Sequence, residues 1–450
     1  MHHFDDDSGE LARAIFEYAL ARVRMDPPPL DGPKSPAQLQ AEVGETITVD
    51  GLGGMNALNV FVERLAPASI SVDHPRFFAF VPAAPTEASV LFDLVVGASS
   101  LFGGTWLEGA GSVYAENQAL RWIADLAGLP VGAGGVFVSG GTAGNLSGLV
   151  AARYAWRAQS PARAKTRAVM AVGASAHSSL VSAARVMDAD VLVADGDGNG
   201  RLTGEALERT LAASGDAPVF AVVATAGATN TGVIDDLTGI ADVCAARGLW
   251  FHVDAAYGGA ALAAPSKRRC FDGIERADSL VVDPHKWLFA PFDCAALLYR
   301  DPAIARAAHT QHAAYLDAIH VEPGWNPSDL AFHLTRRARG LPFWFSLATH
   351  GTRRYAEAVE DTLSLTGGAA RAIEARPLLE LVMEPELSVV LFRRRGWGPA
   401  DYQAWSDRVL AEGLTFTVPT SWQGETLLRF CFVNPRTTLD DVALVLDSLA

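Results

Sequence analysis

The segment SLVVDPHKW, residues 279–287, runs an apolar strand into a turn at Pro284 and presents Lys286 between His285 and Trp287. A lysine directly after a buried strand is open to desolvation, which lowers its pKa and frees the amine to form an imine. Taken alone, the segment fits an ordinary surface lysine capping a strand equally well. A second segment, LWFHVDAAYGG (249–259), ends a strand in Asp254 and follows it with small residues that leave room for a flat ligand. A strand-end carboxylate can pair with a protonated pyridine nitrogen, the partner that makes pyridoxal phosphate (PLP) an electron sink. It can also be a helix cap or a turn residue, the commoner fate of such an Asp. With Lys286 following 32 residues later, one strand–connection–strand unit away, the cofactor reading gains over both alternatives.

A third segment, GVFVSGGTAGN (135–145), carries a strand into Gly140-Gly141-Thr142 and then into a helix. Glycines let backbone approach an anion, and a helix start offers unpaired N–H groups and a favourable dipole, so a phosphate is expected at Gly141 and Thr142. The string is neither GxxxxGK(S/T) nor GxGxxG, which leaves nucleotide readings weak. His177, in GASAHSSLVSAA, follows another strand; its imidazole could stack on an aromatic cofactor or, with equal weight, simply cap a helix. Thr229, in ATAGATNTG, could hydrogen-bond a ring substituent or serve as a turn hydroxyl.

The elements that must position these residues are visible as apolar runs at 135–140, 167–173, 190–195, 218–227, 249–256 and 279–284, separated by helical stretches. Continuous apolar strands alternating with helices predict a parallel sheet covered on both faces, with ligands at the carboxyl ends of its strands. After about residue 352 the texture changes: helical stretches at 355–375, 400–412 and 439–449 flank runs at 386–394 and 426–434, which predicts a smaller α/β domain with antiparallel strands. The 450 residues carry a net charge of −15, which argues against a nucleic-acid surface. No apolar run is long enough to span a membrane, and the acidic start MHHFDDDSGE is unlike a secretory signal. Cys244, Cys270, Cys294 and Cys431 stand far apart, as expected of reduced thiols in a cytoplasmic protein with neither disulfides nor zinc. His309 and His312 could share a helix face, but no carboxylate or Cys cluster accompanies them, so no metal is expected.

In these motifs the sequence resembles the aromatic-L-amino-acid decarboxylase family, the group II PLP-dependent decarboxylases. The resemblance runs from about His74 to the C-terminus through HPRFFAF (74–80), SGGTAGN (139–145), AHSS (176–179), HVDAAYGG (252–259), DPHKW (283–287), FDCAA (292–296), LTRRARGLPFWF (334–345) and LRFCFVNPRTT (428–438). It implies that Lys286 holds the cofactor as a Schiff base, Asp254 meets the pyridine nitrogen and His177 stacks on the ring. Thr229 and Ala256 are implied as ring contacts, Gly141 and Thr142 as phosphate ligands, and His285 as a neighbour of cofactor and substrate. The family often has Asn at Asp283, among the cofactor-binding positions, so this chain puts a negative charge near an anion unless Asp283 points away. The implied fold is α/β: a fold-type I, aminotransferase-like PLP-binding domain (76–350) with a mainly parallel sheet, a helical N-terminal arm (1–75) and a small C-terminal domain (351–450). The resemblance also implies an obligate homodimer with shared active sites, Phe78, Phe80, Gly104, Thr105 and Trp106 lining the substrate pocket.

The implied activity is decarboxylation of an L-amino acid, aromatic or bulky and apolar, to the amine and CO2. Two departures bear on it. The family's mobile loop carries a proton-donating tyrosine; here HVEPGWNPSDLAFHLTRR (320–337) has none, and the expected position falls near Asn326 or Pro327. Tyr315, His320 and His333 are the nearest alternatives, and the loss opens decarboxylation coupled to oxidative deamination, giving an aldehyde. Gly104 stands where animal members carry a phenylalanine, which leaves space for an extended side chain. A transaminase or lyase on the same fold shares Lys286 and Asp254; a transaminase would need an arginine on the substrate carboxylate, and Arg429 is the candidate.

Overall fold

A computed structural model describes residues 2–314, 316 and 325–450. Three helices, α1 (Asp6–Val23), α2 (Pro36–Val43) and α3 (Gly54–Val60), come first, and α2 starts on a Ser35–Gln38 capping box. Next are α4 (Glu87–Ala98) and α5 (Trp106–Leu126), each begun by a threonine hydroxyl, Thr86 and Thr105, that accepts the N–H three residues on.

The chain then alternates β1 (Gly134–Val138), α6 (Gly141–Ala158), β2 (Val169–Gly173), α7 (Ser179–Met187), β3 (Asp190–Ala194), α8 (Gly204–Ala213), β4 (Val219–Thr225), α9 (Leu237–Arg247), β5 (Trp250–Asp254), β6 (Ser279–Val282), the single turn α10 (Pro284–Trp287) and β7 (Ala295–Tyr299). These strands form one sheet in the order β1-β7-β6-β5-β4-β2-β3. Strands β2 to β6 pair in parallel, whereas β7 runs antiparallel to both β6 and β1. The mainly parallel sheet expected from the sequence is present, with β7 as an addition. Its run AALLY is too short for periodicity to separate strand from buried helix.

Side chains on both faces of β4 and β5 are buried, as a sheet covered by helices on both sides requires. Two glycines let α6 lie close to the sheet: a Cβ at Gly144 would stand 2.8 Å from Val281, and one at Gly148 would stand 3.1 Å from the His252 ring.

Helices α11 (Pro302–His309), α12 (Leu341–His350) and α13 (Thr352–Glu374) lead into a second sheet. Its strands are β8 (Leu379–Leu381), β9 (Val389–Arg394), β10 (Thr420–Trp422) and β11 (Glu425–Cys431), all antiparallel in the order β10-β11-β9-β8, with α14 (Pro399–Ala411) and α15 (Leu439–Asp447) completing the layer. Phe78 crosses from the N-terminal side to join this second core, packing on Phe430 and Phe432. Among the described residues, no helix is long and apolar enough to cross a membrane.

Candidate active site

Parallel strands leave their carboxyl ends on one edge of the sheet, and a cavity of about 320 Å³ opens there. From β1 and the start of α6 come Ser139, Gly140, Gly141, Thr142 and Asn145; from beyond β2, His177 and Ser179; from β4 and its loop, Thr225, Gly227 and Thr229. Asp254, Ala256 and Tyr257 follow β5, and Asp283, His285 and Lys286 follow β6, with Phe292 at the rim. Two wider hollows of about 640 and 510 Å³ lie elsewhere, and neither contains Lys286 or Asp254.

Lys286 Nζ lies 3.0 Å from Asp283 Oδ2. Burial pushes its pKa down, but attraction to Asp283 and Asp254 outweighs burial and the net direction is up. The expectation of an amine activated by desolvation is therefore corrected: attraction to two carboxylates outweighs burial.

Asp283 does not point away. It is 2% exposed, and its Oδ2 also accepts the Gly141 N–H at 3.2 Å, while Oδ1 is buried without a partner. A carboxylate thus already sits as an anion on the first amide of α6, whose N-terminus has no side-chain cap.

Asp254 accepts from Asn145 Nδ2 at 2.8 Å and from the Ala256 N–H at 3.2 Å, leaving lone pairs toward the cavity. His177 Nδ1 accepts the Ser179 N–H at 3.2 Å, which leaves the proton of the neutral ring on Nε2. His285 Nδ1 lies 2.7 Å from the Cys294 carbonyl and 3.2 Å from the Cys294 N–H, and its ring leans on Phe292; burial pushes its pKa down.

These surroundings fit PLP. A helix start without a side-chain cap of its own suits the phosphate, although Asp283 already sits on its first amide; a carboxylate with spare lone pairs suits the ring nitrogen, and an amine lines the same cavity. The unpartnered hydroxyl of Thr225 supplies a further polar contact. A Cβ at Gly141 would meet Ala256 and Asp283 at 3.0 Å and fill this cradle. Among the described residues, no set of three or more His, Cys, Asp or Glu side chains could hold a metal ion.

Gly141, Thr142, His177, Thr229, Asp254, Ala256, Asp283, His285 and Lys286 all line the one cavity. Phe78, Phe80, Gly104, Thr105 and Trp106 do not line it within a single chain. Phe78 is buried in the second core, and Phe80 is exposed beside Phe416. The turn 101–106 packs instead on the segment that starts at Trp325: Ser328 N–H donates to Gly104 O at 3.0 Å, Trp106 N–H donates to Asn326 Oδ1 at 2.9 Å, and Trp106 meets Trp325 edge-on. Asn326, near the position expected for the loop tyrosine, is thereby fixed under this turn.

Tyr315 and His320 lie outside the described residues. His333 is held neutral, with burial pushing its pKa to about 4, and it does not line the cavity. Arg429 also stays out of the lining; its Nε donates to Thr229 O at 2.7 Å and Nη1 to Phe80 O.

The sequence reading assigned no role to Asn145, Ser179, Thr225, Tyr257 or Phe292. All stand inside quoted segments, so their position was the available signal. Thr225 also ends a strand that was assigned.

Residues 58–395 match the model of the pyridoxal-dependent decarboxylase conserved domain. The chain is 28% identical to an aromatic-L-amino-acid decarboxylase of Bacillus atrophaeus, over 91% of this chain and 87% of that protein. It is 33% identical to an L-2,4-diaminobutyrate decarboxylase of Rhizobium meliloti, over 84% of this chain and 78% of that protein. Among solved structures, Oryza sativa TDC with PLP and tryptamine superposes with a TM-score of 0.88 at 25% identity, covering 98% of this chain and 96% of that one.

Proposed function

The chain belongs to the pyridoxal-dependent decarboxylase family, and from that premise we propose that it decarboxylates an aromatic or bulky apolar L-amino acid to the amine and CO2. It is a PLP-dependent amino-acid carboxy-lyase; its relatives act on aromatic, diaminobutyrate and histidine substrates by name, so the side chain is the open variable. PLP, when bound, supplies a protonated pyridine ring conjugated to the substrate's α-carbon, which takes up the electron pair left as CO2 departs. Lys286 would provide the amine that holds the cofactor. Asp254 keeps a proton at the ring nitrogen, with its carboxylate oriented by Asn145 and the Ala256 amide. His177 covers one ring face, and the start of α6 receives the phosphate.

The observation that carries this reading is one cavity holding Lys286, Asp254, His177 and the α6 start with no arginine among its lining residues. An α-carboxylate left without a guanidinium clamp favours its loss over transamination; Arg429 stays outside the lining with Nε and Nη1 on two backbone carbonyls, while its Nη2 is buried without a partner. A second reading rests on the absence of tyrosine from 320–337: without that proton donor, part of the flux goes to an aldehyde.

The subunit arrangement belongs to the same proposal. We place Gly104, Thr105 and Trp106 in the site of a second copy, with the 1–75 arm at the interface, and the enzyme, whose four cysteines are free thiols, in the cytoplasm. Incubating the purified chain with L-amino acids in air and under argon, with mass detection, tests the reaction. An amine from an aromatic substrate under both gases is expected. Aldehyde with ammonia and peroxide only in air would establish the second reading, and a keto acid would overturn both.

A further inference from the structure

Behind the cavity wall, a row of hydrogen bonds runs from Trp250 to Asp254. Trp250 Nε1 donates to Ser279 Oγ at 2.8 Å, Ser279 Oγ lies 2.7 Å from His252 Nδ1, and His252 Nε2 lies 2.9 Å from Asn145 Oδ1. Asn145 Nδ2 ends the row on Asp254 Oδ2 at 2.8 Å and also reaches Ser179 Oγ at 3.1 Å.

The donors and acceptors can be assigned from the ends. A carboxylate only accepts, so the Asn145 amide nitrogen faces Asp254 and its oxygen faces His252. The imidazole proton therefore sits on Nε2, and the bare Nδ1 accepts from the Ser279 hydroxyl, which accepts from the indole. His252 is 0% exposed, and burial pushes its pKa to about 4, so the ring stays neutral; the one charged group acting on it is Asp254. Asp254 in turn faces the Lys286 ammonium across the cavity. Every link has one direction: Asp254 sets which end of the Asn145 amide faces it, and the His252 Nε2–H holds the other end in place.

We propose that His252 is a positioning residue: by fixing the Asn145 amide it fixes the charge and orientation that Asp254 offers to a ring nitrogen. This rests on the reading of Asp254 given above. If the amide loses its partner on Oδ1, that buried oxygen is left unsatisfied and the amide is free to shift off the carboxylate, so Asp254 is held less firmly in line with a ring nitrogen.

The test uses the full chain titrated with PLP, followed by the visible absorbance band, with Lys286→Ala as the blank. In His252→Leu the PLP dissociation constant rises roughly tenfold, and the pH at which the band changes rises by about one unit, because a less firmly protonated ring leaves the imine nitrogen more basic. His252→Gln keeps an N–H at the reach of Nε2 and returns both quantities toward wild type. Ser279→Ala, a gentler change that frees the tautomer, gives a smaller shift of the same sign and serves if His252→Leu does not fold. A merely structural role would lower the melting temperature of the cofactor-free variants without moving the pH midpoint. Unchanged affinity and midpoint in His252→Leu, or in Ser279→Ala where Leu does not fold, overturns the proposal while leaving the cofactor site intact. A wild-type chain that forms no Lys286-dependent band overturns both.

Discussion

Asp283 carries more of the site's charge than its place beside the lysine suggests. Its carboxylate binds the Gly141 amide and the Lys286 ammonium at once, and a phosphate arriving at the α6 start meets it directly. Asp283→Asn keeps the acceptor for Gly141 and removes the repulsion, so PLP affinity at pH 8 is expected to rise roughly tenfold, about 1.4 kcal/mol, by fluorescence titration. Weaker binding in the variant would show instead that the ion pair with Lys286 orients the lysine for capture.

Lys286, Asp254 and Gly141 were legible in the sequence because each sits in a contiguous string whose chemistry is local. The direction of the Lys286 shift was not. It depends on how Asp283 turns, and that is fixed by an amide 142 residues away in the chain. His252 was likewise quoted within a motif without a role, since its partners come from α6 and β6.

At the scale of elements, the turn 101–106 and the start of α12 are fastened to α5 from inside the fold. Glu116 on α5, 2% exposed, accepts from Arg336 Nη1 at 2.7 Å, from Arg336 Nη2 at 2.8 Å and from the Gly340 N–H at 2.8 Å, while Arg336 also donates to the Gly103 carbonyl. One ion pair thus ties a helix, a turn and a helix start. Removing a single partner of a buried pair strands the other charge, so Glu116→Ala is expected to destabilise the protein by about 3–5 kcal/mol in urea unfolding. A loss below about 1 kcal/mol would mean that water reaches Arg336 and that the pair fastens nothing.

The strands β1 to β6 were readable from apolar runs bounded by turns, because a parallel sheet buried on both faces needs such runs. Strand β7 was not readable, and neither was the clamp. Glu116 lies in an amphipathic helix where an acid usually faces solvent, and LTRRARG gives no sign of which arginine turns inward.

For the whole molecule, the unresolved relation is between the cavity and the turn 101–106, which the sequence resemblance joins in one pocket and the single chain keeps apart. Apolar side chains stand exposed on the N-terminal elements: Phe16 and Leu20 on α1, Leu91, Leu94 and Val95 on α4, Leu107 and Tyr114 on α5. A surface of this kind on a folded protein marks an interface, and a two-fold dimer would bury it twice while carrying each turn 101–106 into the partner's cavity. Complementation tests that proposed arrangement. Lys286→Ala removes the lysine from one chain, and Trp106→Arg spoils the turn of the other, so each homodimer is inactive. When equal amounts are unfolded together and refolded, half the dimers are mixed, and each mixed dimer has one site with both wild-type residues. About a quarter of wild-type activity should return. Light scattering that gives a monomer, or a mixture as inactive as its components, would put the substrate pocket within one chain and require its walls to be sought around Phe292 instead.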